Sequence, residues 1–222
     1  VAVVDSGSLV VDQDTDIGIQ KALFGDNGKT ILSFTVDPED EDFDLTEVTV
    51  GGLNDQLVKK LYVYRGSQLI GSELVDGDET TVDVDFTVTD ETGLTVKADI
   101  ATLSEYNTDN SVEATFTSAL VNIKAVGVGS GEEVDETGFE GDAVYVYSAY
   151  PGLARTDNFA SNLPLTNVDV LKLSVTAVGG DIKLGASVIA TFAGLASINY
   201  RDTSDNNIIG AAGVVYTGPV TV

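Results

Sequence analysis

The sequence predicts an all-β fold of two tandem β-sandwich domains, the second of them incomplete, and three observations predict it. Nearly every patterned segment alternates apolar and polar residues with the period of two expected of half-buried strands. Turn signals rich in Gly, Asp and Asn separate these segments at sandwich-like intervals. Finally, LSFTV at 32–36 and LKLSV at 171–175 line up at an offset of 139, the first of several matches between the two halves.

The chain opens on VAVVDSGSLVV at 1–11, an extended apolar segment charged only at Asp5, with Gly7 as a hinge. DQDTDIG at 12–18 then places Asp12, Asp14 and Asp16 on one parity, which invites a calcium reading. An EF-hand loop would need Gly at its sixth position and a carboxylate at its twelfth, where Ile17 and Leu23 stand, so that reading fails. DIGIQKALF at 16–24 is expected to form a short helix, and 101–106 another. Strands are expected at TILSFTV 30–36, KLYVY 60–64, LTVKADI 94–100 and SVEATFTSALVNIKAVGV 111–128. The clearest is TTVDVDFTV at 80–88, where Val82, Val84, Phe86 and Val88 alternate with Thr81, Asp83, Asp85 and Thr87, one face for a core and one for water. Turns fall at GDNGK 25–29, RGSQ 65–68 and VDGDE 75–79.

GVGSGEEVDETGFEGD at 127–142 is Gly and acid rich and reads as a linker. The expected boundaries are therefore a first domain over 1–128, a linker over 129–142 and a second domain over 143–222. In the second, AVYVYSAY 143–150, DVLKLSVTAV 169–178 and SVIATF 187–192 read as strands, with turns at VGGD 178–181 and RDTSDNN 201–207. The 139-residue offset carries Phe43 and Leu45 onto Ile182 and Leu184, and LIG at 69–71 onto IIG at 208–210. YR at 64–65 is echoed by YR at 200–201, and SLVV at 8–11 corresponds to YSAY at 147–150. On this offset Val222 meets position 83, so the strands that follow in the first copy have no match in the second. GVVYTGPVTV at 213–222 puts Val214, Tyr216, Val220 and Val222 on one parity of a strand.

Composition narrows the function. The chain carries 36 acidic against 11 basic residues, a net charge of −25, so nucleic acid and anionic membrane surfaces would repel it. No apolar run approaches the roughly 18 to 20 residues of a membrane span, and no membrane insertion is expected. The first residue is Val with no leader pattern, which suggests a processed chain. Cys, His, Met and Trp are absent, which removes disulfide, thiol, imidazole and soft-metal chemistry and suits an extracellular protein.

Candidate chemistry is sparse. Acidic loops at 37–44, 76–79 and 201–205 offer oxygen ligands, with Asp40, Asp42, Asp44, Asp76 and Asp78 as candidates for a structural Ca2+, against the plainer reading of solvated loops. An enzyme would depend on paired carboxylates without His or Cys, and a sugar cleft would lack Trp, so no activity is expected. Tyr62, Tyr64, Tyr145, Tyr147 and Tyr150 could line a sugar-binding face, although their alternation favours strand packing. The chain contains no Asn-x-Ser/Thr sequon.

An incomplete sandwich exposes backbone groups that another chain's strand can satisfy. The apolar N-terminus with an incomplete C-terminal sandwich resembles the donor-strand-complemented pilins of bacteria and archaea. LYVYRGSQLIGS at 61–72 with TVDVDFTVTDETGLTVKADI at 81–100 is similar to an Ig-like β-sandwich repeat of uncharacterised bacterial and archaeal surface proteins. These resemblances imply an extracellular structural role and a head-to-tail homopolymer. Val1, Val3, Val4, Leu9, Val10 and Val11 would be donor side chains, and Val214, Tyr216, Val220 and Val222 would border the acceptor groove. The cysteine pair of chaperone–usher pilins is missing. The rival expectation is a monomeric adhesion or binding module at the cell surface, or a fragment of an S-layer.

Overall fold

The computed structural model describes residues 7–14, 17–106, 113–155, 173–181, 183–184, 200–201, 207–209 and 220–221. The chain divides into two units, Val1–Ser148 and Ala149–Val222.

The first unit is a two-sheet sandwich of β1 (Ser8–Gln13), β2 (Gln20–Leu23), β3 (Lys29–Glu39), β4 (Phe43–Gly51), β5 (Val58–Arg65), β6 (Gln68–Leu74), β7 (Thr80–Val88), β8 (Thr92–Ile100), α1 (Leu103–Tyr106), β9 (Glu113–Gly127), β10 (Glu133–Thr137) and β11 (Glu140–Tyr147). One sheet runs β1-β3-β8-β5-β6; the other runs β2-β11-β9-β4-β7, with β10 paired to β9. All pairs are antiparallel except β2 with β11.

The alternation read in the sequence becomes the core between these sheets. Val82, Val84 and Val88 of β7 are buried while Thr81, Asp83, Asp85 and Thr87 stay exposed. From the other sheet, Leu94, Val96, Ala98 and Ile100 of β8 point inward. Phe34, Phe43, Leu61 and Ile123 are fully buried between them, each side chain stabilising by roughly 1.5–3 kcal/mol relative to exposure. A bulge in β3 between Thr30 and Leu32 leaves the Ile31 carbonyl to accept the buried Ser118 hydroxyl at 3.0 Å, so this polar group in the core is satisfied.

Three expectations are corrected. The segment expected as a linker, 129–142, holds β10 and the start of β11, and the division falls after Ser148. Glu133 and Asp135 face water, while Val134 and Phe139 pack on the core. Gly138 and Gly141 serve close packing: an added Cβ would run into the Leu120 carbonyl at the first and lie 2.5 Å from Leu32 at the second. The first domain therefore extends past 128, and β11, read as the opening strand of a domain over 143–222, closes the first sandwich. The expected helix over 16–24 is instead β2, drawn into parallel pairing with β11 because Ala22, 0% exposed, completes the core there. The other expected helix is a single turn, α1. Thr102 starts it, and Glu105 accepts both the Thr102 amide at 2.8 Å and its hydroxyl at 2.7 Å, a capping arrangement that holds Glu105 below the usual carboxylate range.

The second unit contains β12 (Tyr150–Arg155), β13 (Leu173–Val178), β14 (Lys183–Leu184), β15 (Tyr200–Arg201), β16 (Asn207–Ile209) and β17 (Val220–Thr221). They form three antiparallel pairs: β12 with β13, β14 with β17, and β15 with β16. SVIATF at 187–192 lies outside the described residues.

Candidate assembly interface

Among the described residues β1 is an edge strand, paired with β3 from Ser8 opposite Glu39 to Gln13 opposite Phe34. Its expected donor residues are split by the pleat. Leu9 is 2% exposed and belongs to the core, Val11 packs partly against it, and Val10 on the opposite face is 37% exposed.

The start of this strand is tied down by one carboxylate. The turn from β3 to β4 places Asp40 at φ 69°, a conformation few non-glycine residues adopt, and presents Glu41 to two segments at once. Glu41 accepts the amides of Gly7 at 3.0 Å, Gly129 at 2.8 Å and Ser130 at 2.8 Å, and the Ser130 hydroxyl at 2.6 Å. The Ser130 hydroxyl, then the Gly7 and Ser130 amides, then the Gly129 amide, hold its pKa down at about 2. Gly7 and Gly127 are needed here. A Cβ on Gly7 would lie 2.5 Å from the Glu39 carbonyl, and one on Gly127 2.5 Å from the Glu41 carboxylate. The Val128 amide donates to the Asp42 carbonyl at 2.9 Å, fixing the same corner.

Of the remaining interface residues, Val1, Val3, Val4, Val214, Tyr216 and Val222 lie outside the described residues. Val220 lies in β17, opposite Leu184 of β14.

The pairing in the second unit follows the first. At the 139-residue offset, β13, β14, β15, β16 and β17 fall within β3, β4, β5, β6 and β7, and β12 overlaps the end of β1. The partners agree as well: β12 with β13 answers β1 with β3, β15 with β16 answers β5 with β6, and β14 with β17 answers β4 with β7. Registers differ, since Leu184 faces Val220 where Leu45 faces Phe86. Among the described residues there is no counterpart of β8, which joins β3 to β5, or of β9, which joins β4 to β11.

Residues 202–205 of the third acidic loop lie outside the described residues, and the other two loops do not converge. Asp44 accepts the Thr87 hydroxyl at 2.5 Å, the Asp78 carbonyl accepts the Leu53 amide at 3.0 Å, and Asp76 precedes a turn at Gly77, φ 97°. Among the described residues, no three acidic or other metal-ligating side chains gather as a cation site. The tyrosines also separate. Tyr62 and Tyr64 lie on β5 in one sheet, beneath Lys60 and Lys97 at 4.9 and 4.6 Å from the ring centres, whereas Tyr145 and Tyr147 stack on β11 in the other. Tyr62 donates to Asp99 at 2.6 Å, which raises the phenol's pKa. A cavity of about 10 Å³ beside Gln13, Ile31 and Phe139 has room for a water-sized guest at most. No helix among the described residues is long and apolar enough to cross a membrane.

No protein-family model matches the chain, and no curated protein matches it. Among solved structures, it is similar to a chain of a type I cohesin–dockerin complex from Clostridium thermocellum, with 10% identity and a TM-score of 0.35, over 66% of this chain and 99% of that one. A likeness of that size carries no functional argument.

Proposed function

We propose that this chain is a structural subunit of an extracellular, pilus-like fibre in which copies join head to tail by donating a β-strand. The observation that supports the reading is the strand pairing in the second unit, which among the described residues repeats three pairs of the first sandwich and shows no counterpart of β8 or β9. A strand laid between β13 and β15, antiparallel to both, would give each pair the ladder that β8 gives β3 and β5. The donor is residues 1–11, with Val1, Val3, Val4, Leu9, Val10 and Val11 supplying side chains, and Val214, Tyr216, Val220 and Val222 belong to the receiving unit. Because donor and receiver are different surfaces, each added copy leaves one of each open, and the assembly grows as a filament. A net charge of −25 keeps the fibre dispersed in water, and the role requires no catalysis.

A second reading, a monomeric cell-surface binding module, is favoured by one observation: β1 is docked in its own sandwich with Leu9 in the core. Electron microscopy of negatively stained protein, refolded at high concentration, separates the two. The intact chain should form fibres, and a variant lacking residues 1–6, which keeps β1 and Leu9, should form few or none. Fibres of equal number from both would overturn donation by this segment, and folded monomers from both would favour the binding module.

A further inference from the structure

The contacts of β1 are uneven along its length. Towards its end, Val11 and Gln13 pair with the part of β3 that β8 supports from the other side. Towards its start, Ser8, Leu9 and Val10 pair with Glu39, Pro38 and Asp37, which lie beyond the last β3–β8 pair, Val36 with Thr92. There the sheet has narrowed to two strands, and two-stranded ribbons are marginal in water. Pro38 also has no N–H to give to the ladder. This two-stranded end is where Glu41 binds the Gly7 amide, while its other bonds anchor it to Gly129 and Ser130 in the turn between β9 and β10. The Ser8 hydroxyl adds a bond to Glu39 at 3.0 Å, but that contact is exposed.

From this geometry we infer that Glu41 is the fastening that keeps β1 in its own sandwich and thereby controls its transfer to a second copy. The inference rests on the strand-donation reading for its consequence, although the fastening itself can be tested without it. Glu41 acts as a positioning residue. It contacts the first residue before β1 and spans to the opposite sheet through the β9–β10 turn, and its hydrogen bonds go to three backbone amides and the Ser130 hydroxyl. Glu39, Asp40 and Asp42 flank it, so the amides of Gly7, Gly129 and Ser130 also serve to hold a carboxylate among like charges.

The test is hydrogen exchange on the full chain, comparing wild type with Glu41→Ala, Glu41→Gln and Ser130→Ala, alongside mixing of two differently tagged preparations. In Glu41→Ala, amides of residues 8–13 should exchange at least about tenfold faster, while those of β8 and β9 hold their rates, as expected of a local opening. Glu41→Gln, which keeps an accepting oxygen, should restore part of the protection, and Ser130→Ala should give a smaller shift in the same direction. Mixed-tag oligomers should form faster in Glu41→Ala. Unchanged exchange in β1 would overturn the fastening, as would faster exchange shared equally by β1, β8 and β9, which would mark Glu41 as a general stabiliser. Opening of β1 without any mixed-tag species would uphold the fastening and overturn strand donation.

Discussion

In residues 1–148 the pairs β1–β3 and β5–β6 are joined by β8 into one five-stranded sheet, whereas among the described residues of 149–222 the corresponding pairs, β12–β13 and β15–β16, each stand as two strands. The difference isolates what a central strand does. β8 offers hydrogen bonds to both neighbours and places Leu94, Val96, Ala98 and Ile100 in a row across the core, while a two-stranded ribbon has a single ladder. β9 does the same for the second sheet, joining β4 to β11 and burying Phe116, Leu120 and Ile123.

Separating the two units should have the most severe consequence. Residues 1–148 alone should unfold in urea as a single cooperative transition followed by circular dichroism, and residues 149–222 alone should show none; a cooperative transition in the latter would mean that it needs no outside strand. Within the first unit, Val96→Asp would put an unpaired charge at the centre of β8, and a loss of about 3–5 kcal/mol is expected from the urea midpoint, enough to make the first unit behave like the second. A milder change sharpens the same point: Ile123→Val on β9, which removes one buried methyl group, should cost about 1 kcal/mol without altering the transition's slope.

The smallest effect is local and depends on pH. The folded pKa of Glu41, about 2, lies below its ordinary 4.5, so its contribution is complete above the ordinary value and is lost as pH falls towards about 2. Corrected for the intrinsic rate at each pH, exchange at residues 8–13 should accelerate between pH 4.5 and 2 in the wild type and much less in Glu41→Gln. Equal acceleration in both would assign the effect to other carboxylates.

Much of the fold was legible because one face of each strand meets water. β7 could be read from Val82, Val84 and Val88 alone, since the residues between them are Thr and Asp. β10 and β11 were obscured by the same rule at its extreme: Glu133 and Asp135 on the wet face, and glycines at 138 and 141 kept for close packing, give the composition of a linker. β2 was unreadable as a strand because its four residues carry no alternation and its parallel pairing with β11 begins at Val144, far along the chain. The N-terminal segment stood out by its apolar character, yet nothing local marked Glu41, whose partners lie 34 and 89 residues away. An acid among 36 acquires its role only when folding brings amides to it.

Strand donation requires that the second unit accept a strand between β13 and β15 from outside residues 149–222. Hydrogen exchange of the full chain with and without a synthetic peptide of residues 1–11 tests it most directly. Binding should slow exchange at 173–178 and at 200–201 together, because an inserted strand bonds both neighbours. Unchanged exchange at both, with peptide in large excess, would contradict the claim.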